Sequence, residues 1–283
     1  MKPYISIGIT TYSDTANKKF ALQFYDAYQD HLPVCTPDRM KIWSSKSTIT
    51  NKDEFANIWC YEAPVTIKAN RGKGPIIKQW KARLDTEWRR SRAGGGKVKF
   101  RPSNRPEQPD TLSMKHPYRV RADWLGFFKT LIEISTPAHA MLHLFSEQEV
   151  QAWHGTYSIG DKPPVLNRFD GPVVGEDAFT YVLSDFSDPR KQPSDFEAAR
   201  KMYRYLPELS WANYLGPEFN CEYDIDTLQK GSEACEQIGE GILFTASDQI
   251  GDIIKDRAGF LKKRNNLRSA FEQGFFRLQS LEI

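Results

Sequence analysis

The chain has no run of about 18 apolar residues, so no membrane-spanning helix is expected. Its four cysteines, Cys35, Cys60, Cys221 and Cys235, never fall at C-x-x-C spacing in 283 residues. They read as buried thiols of a reducing compartment rather than disulfides or zinc ligands. Gly72-x-Gly74 and Gly239-x-Gly241 are lone glycine pairs. Neither completes a dinucleotide fingerprint or a phosphate loop, and no G-x-S-x-G occurs. His139 and His143 stand at i, i+4 but lack the Glu of H-E-x-x-H. Pro137 and the apolar run Ala140-Met-Leu142 favour a strand there, in which the two imidazoles lie too far apart to share a metal. No metal and no cofactor are therefore expected. Repeats and low-complexity tracts are absent. The opening Met1–Thr10 lacks a small-residue cleavage site and reads as a first strand, which makes the cytoplasm the default location.

What is present suffices for a core: 40% of residues are apolar and 13% aromatic. The net charge of +3 hides an asymmetry. From Lys68 to Arg105 thirteen Lys/Arg face only Asp85 and Glu87, a net of +11, so the rest of the chain carries −8. Such a block attracts phosphate or an acidic protein surface.

Period-two alternation of Ile5, Ile7 and Ile9 predicts a strand over Tyr4–Tyr12 with one buried face. A helix is expected from about Thr15 to His31, capped by Ser13 or Asp14, and a short one from about Asp53 to Cys60. Ile77, Trp80, Leu84 and Trp88 form a helical stripe that predicts a helix over Ile76–Arg90, before a strand over Lys97–Arg101. Alternatively, the basic segment at about 71–109 is a long insertion. A short strand at Tyr118–Ala122, a helix over Trp124–Ser135 capped by Asp123, and a buried strand over Ala138–Phe145 follow. Ser146 and Glu149 stand at capping-box spacing and open a helix to about His154. Further helices are expected at Asp195–Tyr205, Asp224–Lys230, Ser232–Gln237 and Asp248–Ile253, with an amphipathic tail from Asp256 to about Gln273 and a strand at Gly241–Ala246. The reading is one α+β domain over 1–283, a mixed or antiparallel sheet packed with amphipathic helices.

Leu209-Ser-Trp-Ala-Asn-Tyr-Leu-Gly-Pro-Glu-Phe219 gathers aromatics ahead of a Gly-Pro break. It holds no nucleophile and no ligand cluster, so it reads as a structural or recognition element. Acidic groups crowd the C-terminal half at Asp185, Asp188, Glu218, Glu222, Asp224 and Asp226. They can form a solvated face, an acid–base or divalent-ion pair, or a surface for a basic partner. In the basic block, Arg71, Lys73, Arg89, Arg90 and Arg92 are interleaved with Trp80, Trp88 and Phe100, residue types that nucleic-acid binding uses.

Four stretches carry a family resemblance: Ile5-Ser-Ile-Gly-Ile-Thr-Thr-Tyr12; the Trp124–Ile134 helix running into Ser135-Thr-Pro-Ala-His-Ala140; Leu209-Ser-Trp-Ala-Asn-Tyr-Leu-Gly-Pro217; and Gly239-Glu-Gly-Ile-Leu-Phe-Thr245. Together they resemble bacterial polymorphic-toxin immunity proteins, in particular the immunity protein 52 family and related type VI secretion immunity proteins. The basic block from Arg71 to Pro109 has no counterpart in it. The resemblance implies a non-enzymatic protein that binds a cognate effector toxin, a nuclease being a common pairing, and blocks its active site. It places the family's tryptophan at Trp211 and an acidic residue at Glu218. With Tyr214, Glu222, Asp224, Asp226, Asp185 and Asp188 these are the expected partner-binding residues. The alternative is nucleic-acid binding through residues 68–105.

Overall fold

The computed structural model describes residues 2–42, 45–70, 75–83, 86–89, 96–102, 109–150, 206, 208–272 and 275–276. In chain order the elements are β1 (Tyr4–Thr11), α1 (Lys18–His31), β2 (Arg39–Ile42), β3 (Ser45–Thr48), α2 (Lys52–Trp59), β4 (Glu62–Asn70), β5 (Pro75–Arg83), β6 (Thr86–Arg89), β7 (Lys97–Arg101) and β8 (Asp110–Pro117). Then come α3 (Trp124–Ser135), β9 (His139–Phe145), β10 (Ala212–Leu215), α4 (Ile225–Gly231), β11 (Ala234–Ile238), β12 (Gly241–Thr245), α5 (Asp252–Lys255) and α6 (Arg257–Arg268). The fold is α+β, as the sequence predicts.

Ten strands form one sheet in the order β11-β12-β10-β9-β1-β8-β7-β6-β2-β3, and β4 with β5 forms a separate hairpin. All its neighbouring strands pair antiparallel. Strand β1 lies centrally, with Ile7 opposite Met114 on one side and Leu142 on the other.

Helices α1, α2 and α3 cover one face. The Tyr28 hydroxyl reaches Met114 Sδ at 3.6 Å, Trp59 stacks on Phe100 at 4.4 Å, and Tyr28 meets Phe127 edge-on at 4.5 Å. Each helix is stopped and started locally. Asn17 accepts from Phe20 N, Asn51 from Glu54 N, Asp123 from Gly126 N and Asp256 from Gly259 N, each an N-cap that satisfies an orphan amide. The cap of α1 is thus Asn17 rather than Ser13 or Asp14; Asp14 instead accepts from Ala16 N. Thr136, in the left-handed region at φ 39°, ends α3 before Pro137.

The opposite face differs along the sheet. Over β1, β9, β10 and β12 it is covered by α6 and the segment around Phe219: His143 lies 5.9 Å from the Phe260 ring and His139 6.2 Å from Phe219. Strand β1 is therefore buried at all eight residues, including Ser6 and Thr10, where the alternation predicted one buried face only.

Four other expectations are corrected. The described residues of the helix expected at Ile76–Arg90 lie in strands β5 and β6 instead. Nine-residue β5 finds a nine-residue partner in β4, rich in β-branched residues, and that pairing overrides a helical stripe with no cap. The helix expected at Ser232–Gln237 is replaced by strand β11 (Ala234–Ile238), because the two-residue Gly239-Glu240 turn folds it back on β12. The strand placed at Tyr118–Ala122 lies earlier, as β8, and β2–β3 is an unforeseen hairpin. The helix expected to start at Asp248 begins at Asp252. The Asp195–Tyr205 helix lies outside the described residues.

Candidate functional site

Three of the short motifs meet at one place. Strand β10 lies between β9 and β12, so the Trp211 segment, the Pro137 segment and the glycine-led strand become neighbours. Trp211 is buried, and its indole N–H donates to Ser247 O and Oγ, both at 3.1 Å. Asn213 closes the bend before β10, accepting from Ser210 N at 2.8 Å and donating to Ser210 O at 3.0 Å. The Tyr214 ring crosses Gly241, and its hydroxyl donates to Ile238 O at 3.1 Å. A Cβ at Gly241 would stand 2.4 Å from the Tyr214 hydroxyl and 2.4 Å from Leu215 O. Gly216 donates to Ala138 O at 2.8 Å, and a Cβ there would meet Pro137 O at 2.5 Å. Each motif residue thus has a packing reason. Trp211 and Tyr214, expected at a partner surface, are each only 3% exposed.

Behind this junction lies a buried ionic network that the sequence did not reveal. His143 Nδ1 accepts the Trp211 backbone N–H at 3.1 Å, so Nε2 carries the proton and donates to Glu149 Oε2 at 3.2 Å. Arg257 Nε donates to Glu149 Oε1 at 3.1 Å, and Arg264 Nη1 lies 3.6 Å from Oε2. Burial opposes ionisation of Glu149, but His143, Arg264 and Arg257 outweigh it and hold its pKa at about 2. Burial pushes His143 down against the upward pull of Glu149, with Arg264 adding a smaller downward push. Glu208, paired with Arg268, is pushed up by burial against the pull of Arg264 and Arg268. Arg264 is fully buried and none of its guanidinium nitrogens makes a hydrogen bond. His143 and Glu149 are also fully buried, so this pair faces no substrate and its geometry is that of a clasp between α6 and the sheet. His139 sits on the same strand face, pushed by burial to about 3. Among the described residues no three His, Cys, Asp or Glu side chains could together hold a metal ion. The four cysteines are free thiols; Cys35 is buried, but Cys221 is exposed at φ 77°.

The two ends of the sheet carry opposite charge. From Gly216 to Ile242 there are seven acidic residues and one basic, Lys230. Strand β11 is the sheet edge here, and Glu233 and Glu236 are paired with Lys263 at 2.7 Å and Lys129 at 2.6 Å. Between α4 and β11 runs a groove of about 310 Å³ with Ile242, Tyr223, Cys235 and the 41%-exposed Ile225 as its apolar lining and Glu236 and Glu240 among its polar residues. Asp224 caps α4, its carboxyl held low by the Thr227 amide; Glu222 and Asp226 stand beside it, and Glu218 is half-buried.

At the other end the register aligns bases across strands. Arg39 stands opposite Arg89, Arg89 opposite Lys97, and Lys97 opposite Lys115. Two residues along, Lys46, Lys41, Glu87 and Lys99 form a second row. Arg39, Lys41, Lys97, Lys99 and Lys115 alternate with buried Met40, Val98, Phe100, Leu112 and Met114, so they occupy the face opposite the helices. Of the five cations expected as a patch, only Arg89 falls in this array; Arg71, Lys73, Arg90 and Arg92, like Asp185 and Asp188, lie outside the described residues.

The described residues thus form an α+β protein with one wide antiparallel sheet, a buried ionic clasp, and two surfaces of opposite charge. Among the described residues no helix is long and apolar enough to cross a membrane. No family model and no curated protein matches the sequence. Its fold is similar to that of a solved structure, the Pseudomonas aeruginosa T6SS protein PA0821, with a TM-score of 0.52 and 12% identity over 99% of this chain and 79% of that one. At that identity the likeness is one of fold.

Proposed function

We propose that the protein is a non-enzymatic immunity protein that binds a cognate toxin and blocks its active site or substrate access, with the acidic end of the sheet as its contact surface. The observation that carries this reading is the groove between α4 and β11. Its lining is mainly polar, with Ile225, Tyr223, Cys235 and Ile242 as apolar contact points, a mixture that protein interfaces use. Carboxylates at Glu222, Asp224, Asp226, Glu236 and Glu240 surround it, and a nuclease presents a basic cleft to such a surface. Trp211 and Tyr214 support the surface from behind by fixing β10, β12 and the β11 turn. The shared fold with a T6SS protein and the immunity-like motif order favour the same class.

The test is co-expression with the product of a neighbouring toxin gene, scoring growth and co-purification. Rescue with a stable complex is expected. Toxicity without rescue and without a complex contradicts the reading for that toxin.

A further inference from the structure

We infer that the basic face formed by β3, β2, β6, β7 and β8 binds nucleic acid through its phosphate backbone, and binds duplex more tightly than single strands. This stands apart from the toxin-binding surface and rests on a different observation, the cross-strand register.

The rows are the first argument. Arg39, Arg89, Lys97 and Lys115 are direct neighbours on four consecutive strands, spaced about 4.8 Å apart from strand to strand. Like charges directly opposite one another destabilise a sheet, and most solvated faces alternate sign to avoid this. Here the second row has the same sign, interrupted by Glu87 alone. An anionic ligand spanning the strands would meet several of these cations at once.

Composition selects the occupant. Between the cations this face holds Thr48, Ser113 and Thr111, and the one apolar residue at its register positions on these strands is Pro117 at the end of β8. A protein interface needs an apolar or aromatic centre depleted of charge, so an acidic protein fits poorly. Phosphates need only cations and hydroxyl donors, and their binding gains from counterion release. Without an aromatic platform there is no base stacking, the main attraction of single-strand binders. The higher charge density of a duplex then decides the preference.

The face is a product of folding. Arg39, Lys41, Lys46 and Lys115 lie outside the basic block in sequence and join it only through pairing. Lys41 and Lys46 are exposed, and Lys97, Lys99 and Lys115 partly so, with Lys115 Nζ also 3.6 Å from the Tyr4 ring centroid.

The experiment is fluorescence anisotropy of the full chain with a labelled 20-base-pair DNA duplex and its single strand, between 50 and 200 mM salt. Micromolar or tighter duplex binding at 50 mM is expected. So is a log–log salt slope of roughly −4 to −6, for four to seven neutralised phosphates. The double variant Arg39→Glu, Lys46→Glu should lose at least about tenfold in affinity and flatten the slope by about two. Because it removes like-charge neighbours, its melting temperature should hold or rise, which separates lost binding from lost fold. Absence of duplex binding at 50 mM, salt-independent binding, tighter binding of the single strand, or unchanged binding by the variant would overturn the inference. Competition by poly-glutamate as strong as by unlabelled duplex would also overturn it, by making an acidic protein the better occupant.

Discussion

Strands β1 and β7 share a period of two and differ in fate. Ile5-Ser-Ile-Gly-Ile and Lys97-Val-Lys-Phe-Arg101 both alternate, yet β1 is buried at every residue whereas β7 buries only Val98 and Phe100. The polar partners tell them apart. Ser6, Gly8 and Thr10 are small enough to lie beneath α6 and its neighbours, while Lys97, Lys99 and Arg101 need solvent or a counter-charge for their heads. Alternation therefore names the faces of a strand, and the size and charge of the second residue set decide whether the second face is covered. The sheet is a doubly covered half joined to a half with one cationic face.

Substitutions can break that comparison. The largest effect belongs to the covered half. Glu149→Ala leaves Arg257 and Arg264 without their carboxylate inside the fold and should cost about 3–5 kcal/mol in urea unfolding. Arg264→Met should cost less than Glu149→Ala, since Glu149 keeps His143 and Arg257 although it and Glu208 lose a neighbouring cation. A loss of several kcal/mol in Arg264→Met would show the buried guanidinium to be essential to the clasp.

Next comes Gly241→Ala, which drives a methyl into the Tyr214 ring and Leu215 O and should cost about 1–3 kcal/mol. Partial recovery with Tyr214→Phe, which removes the hydroxyl nearest the new methyl, would locate the clash.

Acid should act on the covered regions in two steps. Burial lowers His116 and His139 from 6.5 to about 3, so the unfolded chain binds protons the folded chain refuses. Stability is then lost as pH falls below about 6.5, by about 1.4 kcal/mol per pH unit for each histidine. Glu149 adds a further loss between about 4.5 and 2, where the unfolded carboxyl protonates first. Melting temperatures from pH 8 to 4 test this, and a flat profile below pH 6.5 would contradict the burial of these rings. The smallest effect should be at the open edge, where Lys46→Glu is expected to change stability by less than about 0.5 kcal/mol.

Fold class was legible in the sequence because its strongest elements, α3 with its Asp123 cap and the apolar runs of β9 and β12, follow from local chemistry. Misread elements depended on distant pairing. Strands β5 and β11 take their state from β4 and β12, and a window of ten residues holds neither partner. Glu222, Asp224 and Asp226 are visible as acids in the sequence, whereas Glu236 and Glu240 join them only through the β11–β12 hairpin. Trp211 and Tyr214 stood out, and their burial followed only from β10 lying inside the sheet. The clasp was invisible because His143, Glu149, Glu208 and Arg264 are brought together by topology alone. A fragment of signal was present, since Glu149 was read as a capping residue; the Ser146 hydroxyl does accept its amide at 3.2 Å, but its carboxylate turns to His143.

The central claim is that the two ends have separate partners, toxin at the acidic end and nucleic acid at the basic face. Its most direct test pairs two full-chain variants, Glu236→Lys with Glu240→Lys and Arg39→Glu with Lys46→Glu, in toxin co-purification. The account predicts that the first loses the toxin while keeping duplex binding, and the second keeps the toxin while losing the duplex. Loss of the toxin by the basic-face variant, with the acidic-end variant still protecting, would contradict it.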